Sequence, residues 1–208
     1  RGVKRLTILH TNDTHSRIDP FPANDPKFPG MGGVARRTTI IRQIRNESEN
    51  VLLLDAGDIF QGTPYFNLFG GEVEFKAMTA MGYDAATLGN HDFDNGIEGL
   101  IRQLPHAKFP FLNINYDLSN TALDAHVEKF RIFERDGIKV GVFGVGIELK
   151  GLVDERLTTN IHYQDPLELA NKTASHLKND RNCHLVICLS HLGYRYENSK
   201  ISEDRKST

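Results

Sequence analysis

The sequence has few cysteines, no tryptophan and no strong excess of charge of either sign. Two cysteines occur among 208 residues, and the formal net charge at pH 7 is −2. A nearly neutral chain presents no basic face, which argues against a nucleic-acid coat or an anionic membrane surface as the main partner. No apolar run reaches the roughly 18 residues of a membrane span, so the sequence predicts no transmembrane helix.

Two familiar nucleotide-binding motifs are also absent. The glycines at positions 30, 32 and 33 are not followed by Gly-Lys-Ser/Thr, which excludes a Walker-type phosphate loop there. They do not form a dinucleotide-binding fingerprint either. We interpret residues 16–33, which are rich in proline and glycine, as a long loop.

The two cysteines, Cys183 and Cys188, lie five residues apart in an apolar run that we interpret as a strand. An extended chain separates them by about 16 Å, at roughly 3.3 Å per residue, which is too far for a disulfide bond. Their odd spacing places them on opposite faces of the strand. We therefore predict two buried free thiols.

The remaining composition, 39% hydrophobic and 25% charged, is typical of a globular protein with one sizeable core. The sequence predicts strands over 4–10, 51–54, 85–88, 109–115, 129–134, 138–145 and 184–189, and helices over 34–45, 71–81, 96–104 and 165–178. Asp136-Gly137 predicts a hairpin, so the sheet would be mixed. This alternation indicates a layered α/β fold, followed by a polar tail over 197–208 that we expect to be mobile.

The most polar stretch after a predicted strand is Leu88–Asp94. An amide, an imidazole and two carboxylates at the end of a buried strand are costly unless a site uses them. The alternative interpretation is a turn, in which Gly89 adopts positive φ and Asp92 caps the next helix. This segment alone leaves both interpretations open.

Three further polar clusters follow predicted strands. Asp13 and His15 come after the first, Asp58 follows a glycine after the second, and His191 comes directly after the strand over 184–189. A spacing of two in extended backbone would aim Asp13 and His15 in the same direction. Because strand ends in layered α/β sheets converge on one edge, we expect the clusters to meet in one cleft.

The residue types in these clusters favour a metal centre. Mixed carboxylate, imidazole and amide ligands suit Zn²⁺, Mn²⁺ or Fe rather than a thiolate site. With this many ligands, two metals that share Asp58 are more economical than one. Two-metal sites activate water and clamp oxygens in phosphoester hydrolysis.

The ordered set of clusters resembles a known family, the calcineurin-like dinuclear metallophosphoesterases. The matching motifs are Asp13-x-His15, Gly57-Asp58, Gly89-Asn90-His91-Asp92 and Ser190-His191. The longer strings over 8–15, 55–58 and 88–94 resemble the N-terminal catalytic domain of the 5′-nucleotidase, UDP-sugar hydrolase and 2′,3′-cyclic phosphodiesterase group. The resemblance spans residues 5 to about 203 and implies an α/β/β/α sandwich with mixed sheets and a site at the C-terminal ends of strands.

The resemblance implies two divalent metal ions of the Zn, Mn or Fe class as cofactors. Asp13 and His15 would bind the first metal, and Asn90 and His191 the second. Asp58 would bridge both. His91 would not be a ligand but a catalytic residue that contacts a phosphate oxygen or the leaving group. Asp94 would hold and polarise His91.

The implied activity is hydrolysis of nucleotides by a hydroxide that bridges the metals. The alternatives are a UDP-sugar or 2′,3′-cyclic-nucleotide phosphodiesterase, or a non-catalytic domain that binds a metal or nucleotide. The family pattern continues with a Gly-His-x-His motif and a substrate-binding domain, neither of which occurs in residues 1–208. We therefore expect an incomplete metallophosphoesterase domain over 1–208, from a periplasmic or cell-surface protein.

Overall fold

The described part of the chain folds around two main β-sheets that pack face to face, with helices on both outer faces, and contains a small two-stranded sheet as well. The computed structural model describes residues 3–193. The strands are β1 (Thr7–Thr11), β2 (Val51–Asp55), β3 (Ala85–Ala86), β4 (Phe111–Leu112), β5 (Tyr116–Asp117), β6 (Val127–Glu128), β7 (Phe130–Arg135), β8 (Ile138–Gly146), β9 (His162–Tyr163) and β10 (Leu185–His191). The α-helices are α1 (Val34–Glu47), α2 (Pro64–Phe69), α3 (Glu72–Met81), α4 (Gly96–Gln103) and α5 (Pro166–Ser175).

The larger sheet is parallel throughout, in the order β1-β2-β3-β4-β6. The smaller sheet has the order β10-β8-β7 and is mixed, because β10 runs parallel to β8 while β7 runs antiparallel to it. The hairpin between β7 and β8 turns at Asp136 and Gly137, with φ of 49° and 69°. Positive φ at both central residues is the twist that a tight hairpin favours. The predicted hairpin and mixed sheet are confirmed.

Strand β2 shows how the layers stack. Side chains alternate across a strand, so Leu52 and Leu54 face the second sheet, where they pack with Val140 and Val142 of β8. Leu53 faces the opposite way into the core formed with helices α1, α3 and α4. Every residue of β2 is buried. The continuous apolar run is therefore a parallel strand that is covered on both faces.

The fourth layer consists of α5 and the turn after it, which cover the outer face of the smaller sheet. Phe143 and Val145 of β8 pack with the buried Leu177, and Leu169 of α5 lies against the same cluster. The order of layers is thus helix, sheet, sheet, helix. The predicted α/β/β/α sandwich is confirmed.

The predicted strand over 109–115 is wrong, because the chain turns within it. The Asn113 Oδ1 accepts the backbone N–H groups of Asn115 at 3.0 Å and Tyr116 at 2.7 Å. An asparagine side chain that bonds its own following backbone replaces a strand ladder with a turn. Within the segment only Phe111 and Leu112 form a strand, β4. β5 follows the turn and pairs with β9 outside the main sheet.

The prediction of two buried thiols holds for Cys183 but is wrong for Cys188. Both cysteines are free, as expected, but Cys183 precedes β10 and only Cys188 lies on that strand. β10 is the edge strand of its sheet in the described part of the chain, and Cys188 is exposed there.

Two other expectations concern membranes and the chain end. None of the helices among residues 3–193 is long and apolar enough to cross a bilayer. The polar tail over 197–208 lies outside the described residues.

The packing between the sheets makes Leu54 a sensitive position. Leu54→Ala should lower the free energy of unfolding by about 2–5 kcal/mol, because it leaves a cavity in the layer between β2 and β8. Leu68→Ala is the matched control, since Leu68 is 77% exposed and should change stability by less than about 0.5 kcal/mol. Chemical denaturation measures both. An equal cost for the two variants would contradict the packing of the two sheets through Leu54.

Candidate metal centre

Three of the predicted metal ligands, Asp13, His15 and His191, lie around the carboxylate of a fourth, Asp58. The Nε2 atom of His15 lies 3.3 Å from the Asp58 Oδ2 and 3.5 Å from the Asp13 Oδ1. From the other side, the Nε2 of His191 lies 3.4 Å from the same Asp58 Oδ2. Four residues from three distant segments of the sequence therefore share one cleft at the strand ends.

These side chains form two overlapping groups that could each hold a metal ion. One group is Asp13, Asp58 and His191, and the other is His15, Asp58 and His91. Within each group the potential ligand atoms all lie within 4.8 Å of one another. Asp58 belongs to both groups, which is the arrangement that a bridging carboxylate requires.

The loop after β1 aims Asp13 and His15 by a route that differs from the predicted one. The backbone is not extended there: φ is 51° at Asp13 and 46° at His15. The loop is held against the loop after β2, because the N–H of Asp13 donates to the carbonyl of Gly57 and the N–H of His15 to that of Asp58. The argument from alternation along a strand is therefore wrong, although both side chains do reach the same site.

Asp58 is itself left-handed, with φ of 56°. Non-glycine residues in this region cost of order 1–3 kcal/mol each and persist where the surroundings fix them. Such residues are typical of functional sites. Here they bring the two ligand-bearing loops into register with each other.

Two glycines let the loops after β2 and β3 touch through their backbones. A Cβ at Gly57, where φ is 96°, would lie 2.6 Å from the nitrogen of Gly89. A Cβ at Gly89 would lie 2.2 Å from the Asp58 Oδ1. This close approach lets the backbone N–H of His91 donate to the Asp58 Oδ1 at 2.8 Å. The glycines of the Gly-Asp and Gly-Asn-His motifs are therefore steric requirements.

His191 enters the cleft from the second sheet as the last residue of β10. Its Nδ1 donates to the carbonyl of Ala56 at 2.9 Å, which fixes the tautomer and turns Nε2 toward Asp58. Among residues 3–193, this Nε2 and the Asp13 Oδ1 are buried atoms that make no hydrogen bond. Buried polar atoms without a partner are costly, and a carboxylate oxygen and an imidazole nitrogen are both atom types that bind divalent metals. The donor set therefore fits a divalent cation.

The electrostatics of the cleft favour positive charge. Burial alone would raise the pKa of Asp58, but its interactions with the imidazoles of His15 and His191 lower it below its usual value. Burial alone would lower the pKa of His191, but its interaction with the nearby Asp58 carboxylate raises it to about 9. The carboxylates thus draw a proton onto the imidazole. A metal cation, which binds neutral imidazole, would satisfy the same negative charge.

The segment after β3 contributes a buried amide and an ordered imidazole. Asn90 is completely buried. The Nδ1 of His91 donates to the carboxylate of Asp94, at 2.9 Å from Oδ2 and 3.1 Å from Oδ1. The rings of His91 and His15 meet edge to face, with centroids 5.5 Å apart. His91 therefore points into the same cleft as the candidate ligands, and Asp94 holds it from behind.

Sequence reasoning missed the part that Asp92 takes in this site. The carboxylate is buried and accepts the backbone N–H groups of four residues: Gly89, Asp58, Ile59 and Phe60. It does not cap α4, which begins after Asn95. Burial and the charge of Asp58 raise the pKa of Asp92 to about 7, against the lowering effect of its backbone donors. Its position directly after His91 in a polar motif was the available signal.

A second buried carboxylate, Asp55, holds the loop that carries Asp58 in place. Thr11 donates its hydroxyl to the Asp55 Oδ2 at 2.6 Å, and the N–H of Gly57 donates to Oδ1 at 2.8 Å. Burial raises the pKa of Asp55 to about 6. These bonds tie the ends of β1 and β2 to the loop that carries Asp58.

A groove of about 1000 Å³ opens beside Asp13 and His15. Phe21 and Met31, from the long loop between β1 and α1, line it together with Arg37 of α1. The loop that the sequence places next to the site therefore does shape its surroundings.

Comparison with known proteins places these observations in a family. Residues 6–206 match the family model described as calcineurin-like phosphoesterase. The chain is 36% identical over 212 residues to a snake venom 5′-nucleotidase of Gloydius brevicauda, an alignment that covers 99% of this chain and 36% of the relative. It is 39% identical over 202 residues to a 5′-nucleotidase of Vibrio cholerae, which covers 94% of this chain and 35% of the relative.

A solved structure gives the same result. The 5′-nucleotidase precursor from Thermus thermophilus superposes with a TM-score of 0.83 at 33% identity, over 91% of this chain and 37% of that one. The chain thus spans little more than a third of the length of these relatives. Because the family model covers nearly all of the sequence, the chain belongs to the calcineurin-like phosphoesterase family.

Proposed function

We propose that the protein is a metal-dependent phosphoester hydrolase that acts on nucleotides as a 5′-nucleotidase. The observation that carries the proposal is the buried Asp58 carboxylate, whose Oδ2 lies 3.3 Å from Nε2 of His15 and 3.4 Å from Nε2 of His191. One carboxylate thus lies between candidate ligands that come from both sheets. The match to relatives named 5′-nucleotidases supports the choice of substrate. A non-catalytic binding domain would not require the His91–Asp94 pair beside these ligands.

Two divalent cations would be held by five side chains: Asp13, His15, Asp58, Asn90 and His191. Asp58 would serve both cations. When bound, the cations would supply an activated water molecule and a clamp on the phosphate oxygens. The mixture of carboxylate, imidazole and amide donors supports the Zn, Mn or Fe class.

His91 and Asp94 would act on the substrate. The Asp94 carboxylate keeps Nδ1 of His91 protonated and fixes the ring, as in other carboxylate–histidine pairs. In the imidazolium form of the ring Nε2 also carries a proton, and this N–H can donate to charge that develops on a phosphate oxygen or on the leaving group. A donor already in place in a buried cleft stabilises such charge without reorganisation.

We also propose that the protein acts outside the cytoplasm, in a periplasm or at a cell surface. The support is indirect: one relative is a venom enzyme by its name. Fractionation of the source cells, followed by detection of the protein in each fraction, tests this directly.

The bridging role of Asp58 predicts a loss of metal. Asp58→Asn in the full-length protein should reduce bound metal from about two ions per chain to one or none, because an amide bridges two cations poorly. Elemental analysis after purification with Mn²⁺ or Zn²⁺ measures the stoichiometry. Asp124→Asn is the control, since Asp124 is exposed on the surface. Retention of two ions by Asp58→Asn would contradict the assignment.

The assigned role of His91 predicts a kinetic defect with the metals still bound. His91→Ala should lower kcat for a nucleoside 5′-monophosphate by about 10²–10⁴-fold, the range for loss of one proton donor or charge-stabilising group. His126→Ala, at an exposed histidine, should have no effect.

The substrate assignment is tested on the same proteins. Nucleoside 5′-monophosphates, a UDP-sugar and a 2′,3′-cyclic nucleotide are compared as substrates of the wild type. A preference for either of the last two would replace the 5′-nucleotidase assignment. Unchanged turnover in His91→Ala would remove His91 from the catalytic machinery.

A further inference from the structure

We propose that Asp92 is a positioning residue that sets the affinity of the centre for its metal ions. Its carboxylate joins the loop that carries Asp58 to the loop that carries Asn90 and His91. The inference rests on the proposed dinuclear function, and it assigns Asp92 no contact with either metal or substrate.

Each of the two oxygens of the Asp92 carboxylate accepts two backbone hydrogen bonds. Oδ2 accepts from the N–H of Gly89 at 2.7 Å and from the N–H of Asp58 at 3.0 Å. One oxygen atom therefore connects the ends of two different strands. Oδ1 accepts from Ile59 at 2.9 Å and from Phe60 at 3.1 Å, which fixes the direction in which the chain leaves Asp58.

Two of the donors belong to a candidate metal ligand or to the neighbour of one. One is the N–H of Asp58 itself, and another belongs to Gly89, next to Asn90. Asp58 also accepts the N–H of His91 at 2.8 Å. The two loops thus exchange hydrogen bonds in both directions, and a shift of the Asp92 carboxylate would move Asp58 relative to Asn90.

Burial makes the arrangement depend on a carboxylate. Asp92 is 1% exposed, so water has little access to replace a lost acceptor. A carboxylate has two acceptor oxygens, whereas an amide has one acceptor and one donor group. In Asp92→Asn, one pair of buried backbone N–H groups would therefore face another donor. The loops would have to separate to relieve that contact.

Loss of the Asp92 carboxylate should weaken metal binding in the same way as loss of other groups that orient metal ligands without binding the metal themselves. Loss of such a partner typically costs about 10–100-fold in metal affinity. We expect Asp92→Asn to bind Mn²⁺ at least tenfold more weakly than the wild type in competition with a chelating indicator dye. Because the defect is one of affinity, excess Mn²⁺ should restore most of kcat, with KM for a nucleoside 5′-monophosphate little changed.

The experiment uses the full-length protein, with circular dichroism to confirm that each variant is folded. Asp124→Asn removes an exposed carboxylate and should bind Mn²⁺ as the wild type does. Wild-type affinity and wild-type Mn²⁺ dependence of activity in Asp92→Asn would overturn the inference while leaving the proposed function intact. Absence of metal binding or nucleotide hydrolysis in the wild type would instead refute the proposed function.

A second variant tests the inference if Asp92→Asn does not fold. Asp92→Glu keeps both acceptor oxygens and the charge but lengthens the side chain by one methylene, which displaces the two loops. It should also bind Mn²⁺ more weakly than the wild type. Wild-type affinity in Asp92→Glu would show that the position of this carboxylate does not control the centre.

Discussion

Burial of the Asp58 carboxylate is the constraint on which this centre depends. A buried carboxylate is stable only with hydrogen-bond donors or positive charge around it. Its partners come from separate segments: His15 after β1, the N–H of His91 after β3, and His191 on β10. None of these segments can supply the others' contacts. The charge of one residue therefore requires the strand ends to converge as they do.

The convergence of these loops has a cost in local backbone strain. Asp13, His15 and Asp58 adopt left-handed backbone conformations that most L-residues avoid. Gly57 and Gly89 leave no space for a side chain where their loops meet. Local preferences and global structure usually agree in natural proteins, and disagreements concentrate at functional sites. Here three of the left-handed non-glycine residues are themselves candidate ligands.

The sequence could predict the parts of the structure that depend on local pattern. Apolar runs followed directly by polar residues identified the strand ends, and the parallel order of the sheet then brought those ends together. The sequence could not reveal that Asp92 is buried or that Cys188 is exposed, because both are properties of the assembled tertiary structure. The break at Asn113 shows a different limit, since one side chain that bonds the following backbone outweighs strand-like neighbours. Boundaries are accordingly the least certain part of a sequence-based prediction.

His191 belongs to the smaller sheet, and this position links the stability of the sandwich to the chemistry of the cleft. Asp58 follows a strand of the larger sheet, whereas His191 ends a strand of the smaller one. Their separation is therefore set by the apolar layer between the sheets, in which Leu54 meets Val142. A cation held by residues of both sheets would bind only the packed state, and binding of this kind stabilises the native fold by mass action. Packing of the two sheets thus sets the geometry of the candidate ligands, and a cation bound by residues of both sheets would in turn stabilise that packing.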